Sequence, residues 1–260
     1  MKSWIKKHPS KMLVIVILTV FMILLFINET HWFTNDKTMT FDEAVQRQTA
    51  QGVLHTVAHQ NQFVEASQSE VKDAMRVEFR DHDLKYMDIS EPVHLSKDEV
   101  NRMLKGKGIL ENQGDAFLAA QQETDVNVIY LVSHALIETG EGQSKLANGI
   151  KHKGKRYYNF FGIGAFDSDA VATGKSYAVR EKWTSPEKAI KGGAHFVRNQ
   201  YFKNGQITLY QMKWNPQNPG TNQYASDIAW PSKIAEQMQH YYDQYGIKKD
   251  HIRRDFYKNG

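Results

Sequence analysis

The sequence predicts a mainly α-helical domain with a small strand-bearing insert, preceded by a single transmembrane helix. Three observations carry this. Helical patterns recur three times within about fifty residues, from Ser96 to Gly142, before any strand signal. Residues 144–183 then turn aromatic, basic and glycine-punctuated, which is loop and short-strand composition. Residues 12–27 form an apolar run interrupted only by Thr19.

The chain of 260 residues has room for one substantial domain and an appendage. It contains no cysteine, which excludes a disulfide framework, a thiolate metal site and a thiol nucleophile. A net charge of +4 suits an acidic polymer or a membrane surface. That charge is not gathered into an arm and no nucleic-acid motif accompanies it, so no nucleic-acid partner is expected.

Lys2, Lys6, Lys7 and Lys11 precede the apolar run. Sixteen helical residues span roughly 24 Å, slightly less than a bilayer core, and Trp4, Trp32 and Phe33 flank them as interfacial anchors. The rival reading is a cleaved signal peptide. Asn28 to Trp32 offer no small-x-small cleavage pattern, which favours an uncleaved signal anchor over residues 1–33. Lysines before the run and few just after it put the N-terminus in the cytoplasm and the rest outside, as a single-pass protein of the cell membrane.

Residues 34–89 are polar and glutamine-rich, with a helical pattern between Phe41 and Ala58 and a charged run from Glu78 to Lys85. They read as a juxtamembrane stalk or small accessory subdomain, whose surface and that of the anchor could engage an integral-membrane protein partner. His55 and His59 stand four apart, but no local acid completes a metal set, and two exposed histidines are expected.

The compact domain is expected over residues 90–260. Ser96 and Glu99 form a capping-box pattern opening a short helix that Gly106 and Gly108 end. Asp115 is placed to cap a second helix to about Glu123. Asn127 caps a third, in which Val128, Leu131, Val132 and Ala135 make one apolar stripe. Glu138 lies seven residues past Leu131 and so falls on that inward stripe, while Gly140 and Gly142 stop the helix. A carboxyl group beside a chain break in apolar surroundings has the environment of a general acid. The spacing alone equally allows a structural ion pair.

Tyr177, Val179, Glu181 and Trp183 alternate with Ala178, Arg180 and Lys182, which on a strand puts a second carboxylate, Glu181, among aromatic neighbours. The same pattern also fits Glu181 paired with Arg180 or Lys182 at a rim. Ser185 and Pro186 open a helix whose Gly192 and Gly193 signal close packing. Residues 210–220 read as a long aromatic loop. Asp227 to Pro231 open the last helix, and the charged tail after Tyr245 is expected to fray.

No serine-hydrolase elbow, phosphate-binding loop or zinc-protease motif is present, and His134 with Glu138 is only one i, i+4 pair. Nothing calls for a cofactor or metal. What remains is an acid at a helix end and loops rich in Tyr, Trp and Asn, which stack on sugar rings and bond their hydroxyls. This combination points to glycoside cleavage.

Four stretches carry a family resemblance: A-L-I-E-T-G-E-G-Q-S (135–144), Y-N-F-F-G-I-G-A-F-D (158–167), W-T-S-P-E-K-A-I-K-G-G-A (183–194) and W-N-P-Q-N-P-G-T-N-Q-Y-A-S-D-I (214–228). In this order they resemble glycoside hydrolase family 73, the bacterial endo-β-N-acetylglucosaminidases that cut peptidoglycan. With the anchor, the membrane-bound staphylococcal members are the most similar. The resemblance implies a lysozyme-like helical lobe, a small β-lobe and cleavage of the GlcNAc-β-1,4-MurNAc bond, with glycan strands as partner. By motif, Glu138 matches the general acid and Tyr224 a tyrosine at the catalytic centre. Phe161, Gly162, Ile163, Trp214 and Asn215 match groove-lining positions. Glu181 is the best local match to a β-lobe acid whose place varies in the family; the alternative nucleophile is the 2-acetamido group of the substrate. A lytic transglycosylase and a non-catalytic peptidoglycan-binding scaffold are the competing functions.

Overall fold

The structure, a computed structural model, describes residues 37–60, 62–79, 83–144, 147–164 and 170–259, together with Thr19 and Val20. Of the expected membrane anchor only Thr19 and Val20 are among the described residues, and the rest of it lies outside them. Among those described, no helix is long and apolar enough to cross a membrane. The chain divides into two compact units, residues 1–40 with 257–260, and residues 41–256. In the first, Thr40 pairs in parallel with Lys258.

The second unit is mainly helical and runs unbroken across the boundary expected at Ser90. It opens with α1 (Phe41–Gln48), the hairpin β1 (Thr56–His59) and β2 (Gln62–Glu65), and α2 (Gln68–Met75). The helical pattern read through Ala58 stops at Gln48, because Gly52 turns the chain at a φ of 91° and the β-branched pair Thr56 and Val57 then enters a strand. Next come α3 (Lys97–Met103), α4 (Gly114–Thr124) and α5 (Val128–Thr139). Ser96 makes the expected capping box with Glu99. Asp115 instead lies inside α4, which starts one residue earlier at Gly114.

A second hairpin follows, β3 (Ile150–His152) and β4 (Lys155–Tyr157), then α6 (Ala170–Arg180), α7 (Pro186–Gln200), α8 (Leu209–Trp214) and α9 (Trp230–Gln244). The strand expected through residues 177–183 is not formed. Gly174 and Ala178, four apart, are the buried positions, so the burial period is helical and the alternation was coincidental. Residues 209–214, read as loop, form a helix because Thr208 accepts a hydrogen bond from the Gln211 amide and Asn215 closes the other end at a φ of 39°.

The core gathers around α5, ten of whose residues are buried, from Val128 to Thr139. It packs against α4 and α9, and α4 packs against α7. The tail is held rather than frayed. Arg253 donates to Asp88 Oδ2 at 2.7 Å, the Arg253 amide bonds the Tyr86 carbonyl, and Ile252 bridges Met87.

His55 is buried rather than exposed, and its partners fix its tautomer. Gln48 O can only accept, so Nε2 donates to it at 3.1 Å; Lys213 Nζ can only donate, so Nδ1 accepts at 2.9 Å. Burial first, and the Lys213 charge second, lower its pKa to about 4. Since the folded ring binds its proton more weakly than the unfolded one, this contribution to stability is complete above about pH 6.5 and is lost as pH falls towards 4. The melting temperature should fall by about 5 °C between pH 7 and pH 4.5 through this ring. His55→Gln should flatten that slope; an unchanged slope in thermal melts would count against His55 as its source.

Candidate active site

The last turn of α5 positions the first functional side chain. Asn127 caps the start of the helix through the Tyr130 amide and anchors it to Tyr242 Oη at 2.9 Å. At the other end Gly140, at a φ of 53°, lets the chain reverse, and Thr139 Oγ1 accepts from the Gly142 amide. Glu138 is thereby held in the final turn with its side chain 23% exposed. Its Oε1 accepts the indole N–H of Trp230 at 3.0 Å and lies 3.5 Å from His134 Nε2. Its Oε2 faces Gly162.

Four rings surround His134: Tyr130 at 5.3 Å, Phe161 at 5.4 Å, Tyr224 at 4.8 Å and Trp230 at 5.3 Å. Tyr224 stacks on Trp230 with centroids 4.8 Å apart and planes 15° from parallel, and its hydroxyl donates to the Phe161 carbonyl at 2.8 Å. Burial of that hydroxyl, then the neighbouring Tyr130 and Glu138, push its ionisation well above the ordinary tyrosine range. Tyr224 stays protonated at working pH and acts as a hydrogen-bonding group. The structure thus brings Glu138 and Tyr224 together across Trp230, a residue read from sequence only as a helix start.

The segment through Phe161, Gly162 and Ile163 meets Glu138 with its backbone. Phe161 and Ile163 are 0% and 2% exposed and sit in the core. Asn159 fixes the bend, accepting from the Ile163 amide at 3.3 Å and donating to the Ile163 carbonyl at 2.8 Å. Gly162 has a φ of 63°, and a Cβ there would stand 2.7 Å from Glu138 Oε2. Gly162→Ala should therefore displace the carboxylate and lower kcat about 100-fold. The left-handed backbone should add a stability cost of about 1–2 kcal/mol. Wild-type kcat in that variant would refute the contact. On α7, a Cβ at Gly193 would collide with the Phe161 ring and one at Gly192 with the Trp183 indole. The two glycines thus seat aromatic side chains beneath the site.

Trp214 and Asn215 go elsewhere. Trp214 is 1% exposed, against the His55 ring at 5.3 Å, and its carbonyl accepts from Gln48 Nε2 at 2.5 Å. Asn215 is 8% exposed and donates to the Thr221 carbonyl at 3.1 Å. Neither side chain offers a face to a sugar. Their neighbour Lys213 is the group sequence reading missed: fully buried, its ammonium donates to the carbonyls of Ala225 and Ser226 at 2.8 and 2.9 Å, just past Tyr224. Glu181 follows α6 in a turn and pairs with Arg180 at 3.0 Å, the rim arrangement. His134 had a visible signal, the i, i+4 spacing to Glu138. Trp230 and Lys213 had none: Trp230 meets Glu138 from 92 residues away, and the ring that Lys213 meets, His55, is 158 away.

Similarity to known proteins agrees with this geometry. The glucosaminidase family profile, described as mannosyl-glycoprotein endo-beta-N-acetylglucosaminidase, matches residues 114–243. The bifunctional autolysin of Staphylococcus epidermidis ATCC 12228 is 46% identical over 205 residues, which is 74% of this chain and 15% of the relative. That of Staphylococcus aureus MSSA476 is 44% identical over 196 residues, 71% and 16% respectively. The chain spans about 15% of the length of these curated relatives. A crystal structure of catalytic mutant E138A of S. aureus Autolysin E in complex with disaccharide NAG-NAM is 60% identical, with a TM-score of 0.81 over 86% of this chain and 100% of the other. S. aureus glucosaminidase B is 36% identical, with a TM-score of 0.63 over 83% of this chain and 89% of its own. Of these two structures Autolysin E shares more of the sequence. The four motifs, the helical lobe and these matches lead to one assignment: the chain belongs to the glucosaminidase family and is a glycoside hydrolase.

Proposed function

We propose that the protein is an endo-β-N-acetylglucosaminidase that cleaves the β-1,4 bond between GlcNAc and MurNAc in peptidoglycan, with Glu138 as general acid. One observation carries this reading most: Glu138 is a partly exposed carboxylate with one oxygen bonded to Trp230 and the other beside Gly162. The Autolysin E crystallised with NAG-NAM is a catalytic mutant in which a glutamate is replaced. A second structure of that relative holds the muropeptide NAM-L-ALA-D-iGLU. Tyr224 is the aromatic and hydrogen-bonding wall opposite the acid, and Gly162 the backbone floor. Trp214 and Asn215 support the site from behind, through the loop that carries Tyr224.

Glu181 is engaged by Arg180, and Asp227, near Trp230 in sequence, by Lys233 at 2.7 Å. That favours the 2-acetamido group of GlcNAc as internal nucleophile. Its carbonyl oxygen bonds C1 as the C1–O4 bond breaks, and Glu138 gives its proton to the departing MurNAc O4. Water then opens the resulting oxazolinium ion at C1, its proton returning to Glu138, which restores the acetamido group and the β configuration. Residues 12–27, of which only Thr19 and Val20 are described, are proposed to anchor the domain at the outer face of the cell membrane. Membrane-proximal glycan would then be its natural substrate.

Mass spectrometry of digested peptidoglycan tests the assignment. Reducing GlcNAc ends are expected; anhydro-MurNAc ends would mean a transglycosylase, and peptidoglycan bound without new ends a scaffold. On the nucleophile, Glu181→Gln should retain at least about half of kcat, and de-N-acetylated glycan should not be turned over. Collapse of activity in Glu181→Gln would make Glu181 the second group instead.

A further inference from the structure

We propose that His134 decides which oxygen of Glu138 carries the catalytic proton, by holding Oε1 as an acceptor and leaving the proton on Oε2. The proposal rests on Glu138 being the acid and concerns how that acid is prepared.

His134 is fully buried on α5, one turn before Glu138. Its Nδ1 is 2.9 Å from Tyr130 Oη, one further turn back. Its Nε2 is buried, has no formed hydrogen bond among the described residues, and faces Glu138 Oε1 at 3.5 Å. Tyr130, His134 and Glu138 therefore line up along one helix face at four-residue steps. The titratable groups facing the ring are Tyr130 and Glu138 on its own helix and Tyr224 from the loop opposite. Tyr201 stands behind Tyr224, its ring 5.2 Å away. Phe161 and Trp230 complete the cage without a titrating group.

A neutral imidazole has one donor and one acceptor nitrogen. If Nδ1 carried the hydrogen, the Nε2 lone pair would point at a carboxylate oxygen inside a dry cage, two acceptors with nothing between them. The Tyr130 hydroxyl would then be left with Met212 Sδ at 3.9 Å, a weak acceptor. If Nε2 carries it, Tyr130 donates to Nδ1 and Nε2–H points at Oε1, so every buried group on the line is matched. Oε1 then faces two N–H donors, from Trp230 and His134. A carboxyl oxygen that already accepts twice is the poorer place for a proton. The other oxygen, Oε2, lies beside Gly162, which presents no side chain to it. The proton is thus delivered from one defined oxygen in one direction. His134 acts through Glu138 and is a positioning residue; the 3.5 Å separation closes to a hydrogen bond when substrate presses on the carboxylate.

Long-range 15N NMR of the His134 ring in the full-length protein tests this directly, with the resonance assigned by its loss in His134→Gln. The Nε2–H tautomer is expected, and an Nδ1–H ring overturns the proposal. In kinetics, His134→Leu should lower kcat about 30-fold with KM nearly unchanged. His134→Gln, whose amide reaches the Nε2 position, should recover most of that loss. Equal losses in both variants, both folded by circular dichroism, would mean a merely structural ring. Failure of the general-acid reading looks different: Glu138→Gln would stay active while the His134 tautomer remained as stated.

Discussion

Glu138→Gln should reduce the release of new reducing ends from purified peptidoglycan about a thousandfold, within the range that a positioned acid contributes. The change is close to isosteric. The amide oxygen can still accept from the Trp230 indole, whose bond to Oε1 is 3.0 Å, so the cage and the end of α5 stay as they are. Only the transferable proton is gone. Melting should therefore be unchanged within about 1 kcal/mol, as expected when no buried group is left unpartnered. A substrate with a strongly acidic leaving group, which departs without a proton, should lose far less than the natural glycan. More than a few per cent of wild-type activity on peptidoglycan in the variant would remove Glu138 from the reaction.

The second large effect is expected away from the acid. Lys213→Met should cost about 3–4 kcal/mol, the penalty of stranding buried polar partners. The lysine is fully buried and its ammonium ties together His55 Nδ1 and the carbonyls of Ala225 and Ser226. Methionine fills the volume but donates nothing, so two carbonyls and a ring nitrogen lose their donor at once. Because these carbonyls directly follow Tyr224, the loss should reach catalysis as well as stability. We expect a melting temperature about 10 °C lower and a reduced kcat in the surviving fold. Arginine should not rescue, since a planar fork cannot replace a compact ammonium that also reaches Gln223 Oε1 at 3.4 Å. A Lys213→Met protein within about 1 kcal/mol of wild type in chemical denaturation would show that the loop is held by other contacts.

The features legible in the sequence were those set by neighbours a turn away. Ser96, Asn127 and Ser185 cap where they should, because a cap depends on three or four consecutive residues. Glu138 was placed by the same local logic, a periodic stripe ended by Gly140. Other readings failed where local patterns were ambiguous. Tyr177 to Trp183 alternate in polarity over seven residues, too short a run to separate a strand from the last turns of a helix that buries Gly174 and Ala178. Asn and Pro after Trp214 masked the short helix before them, although Thr208 was available as its cap. The His55–Lys213 and Trp230–Glu138 bonds join residues 158 and 92 positions apart, and no spacing rule within a window reaches so far. The charged tail looked free because the acid that receives Arg253 is Asp88, 165 positions earlier.

The pairing of Thr56 with the segment after Tyr224 has a temporal side. The Thr56 amide bonds the Ser226 carbonyl, and the Ile228 amide returns to the Thr56 carbonyl. The loop carrying Tyr224 is thus braced by a strand made at the start of the domain, and Glu138 waits for an indole made near its end. Contacts of such sequence separation form late in folding, since the intervening chain must be brought together first. In a chain built this way Glu138 leaves the ribosome before its Trp230 partner is made. The cage around Glu138 is complete only when the chain through Trp230 has been synthesised and closed.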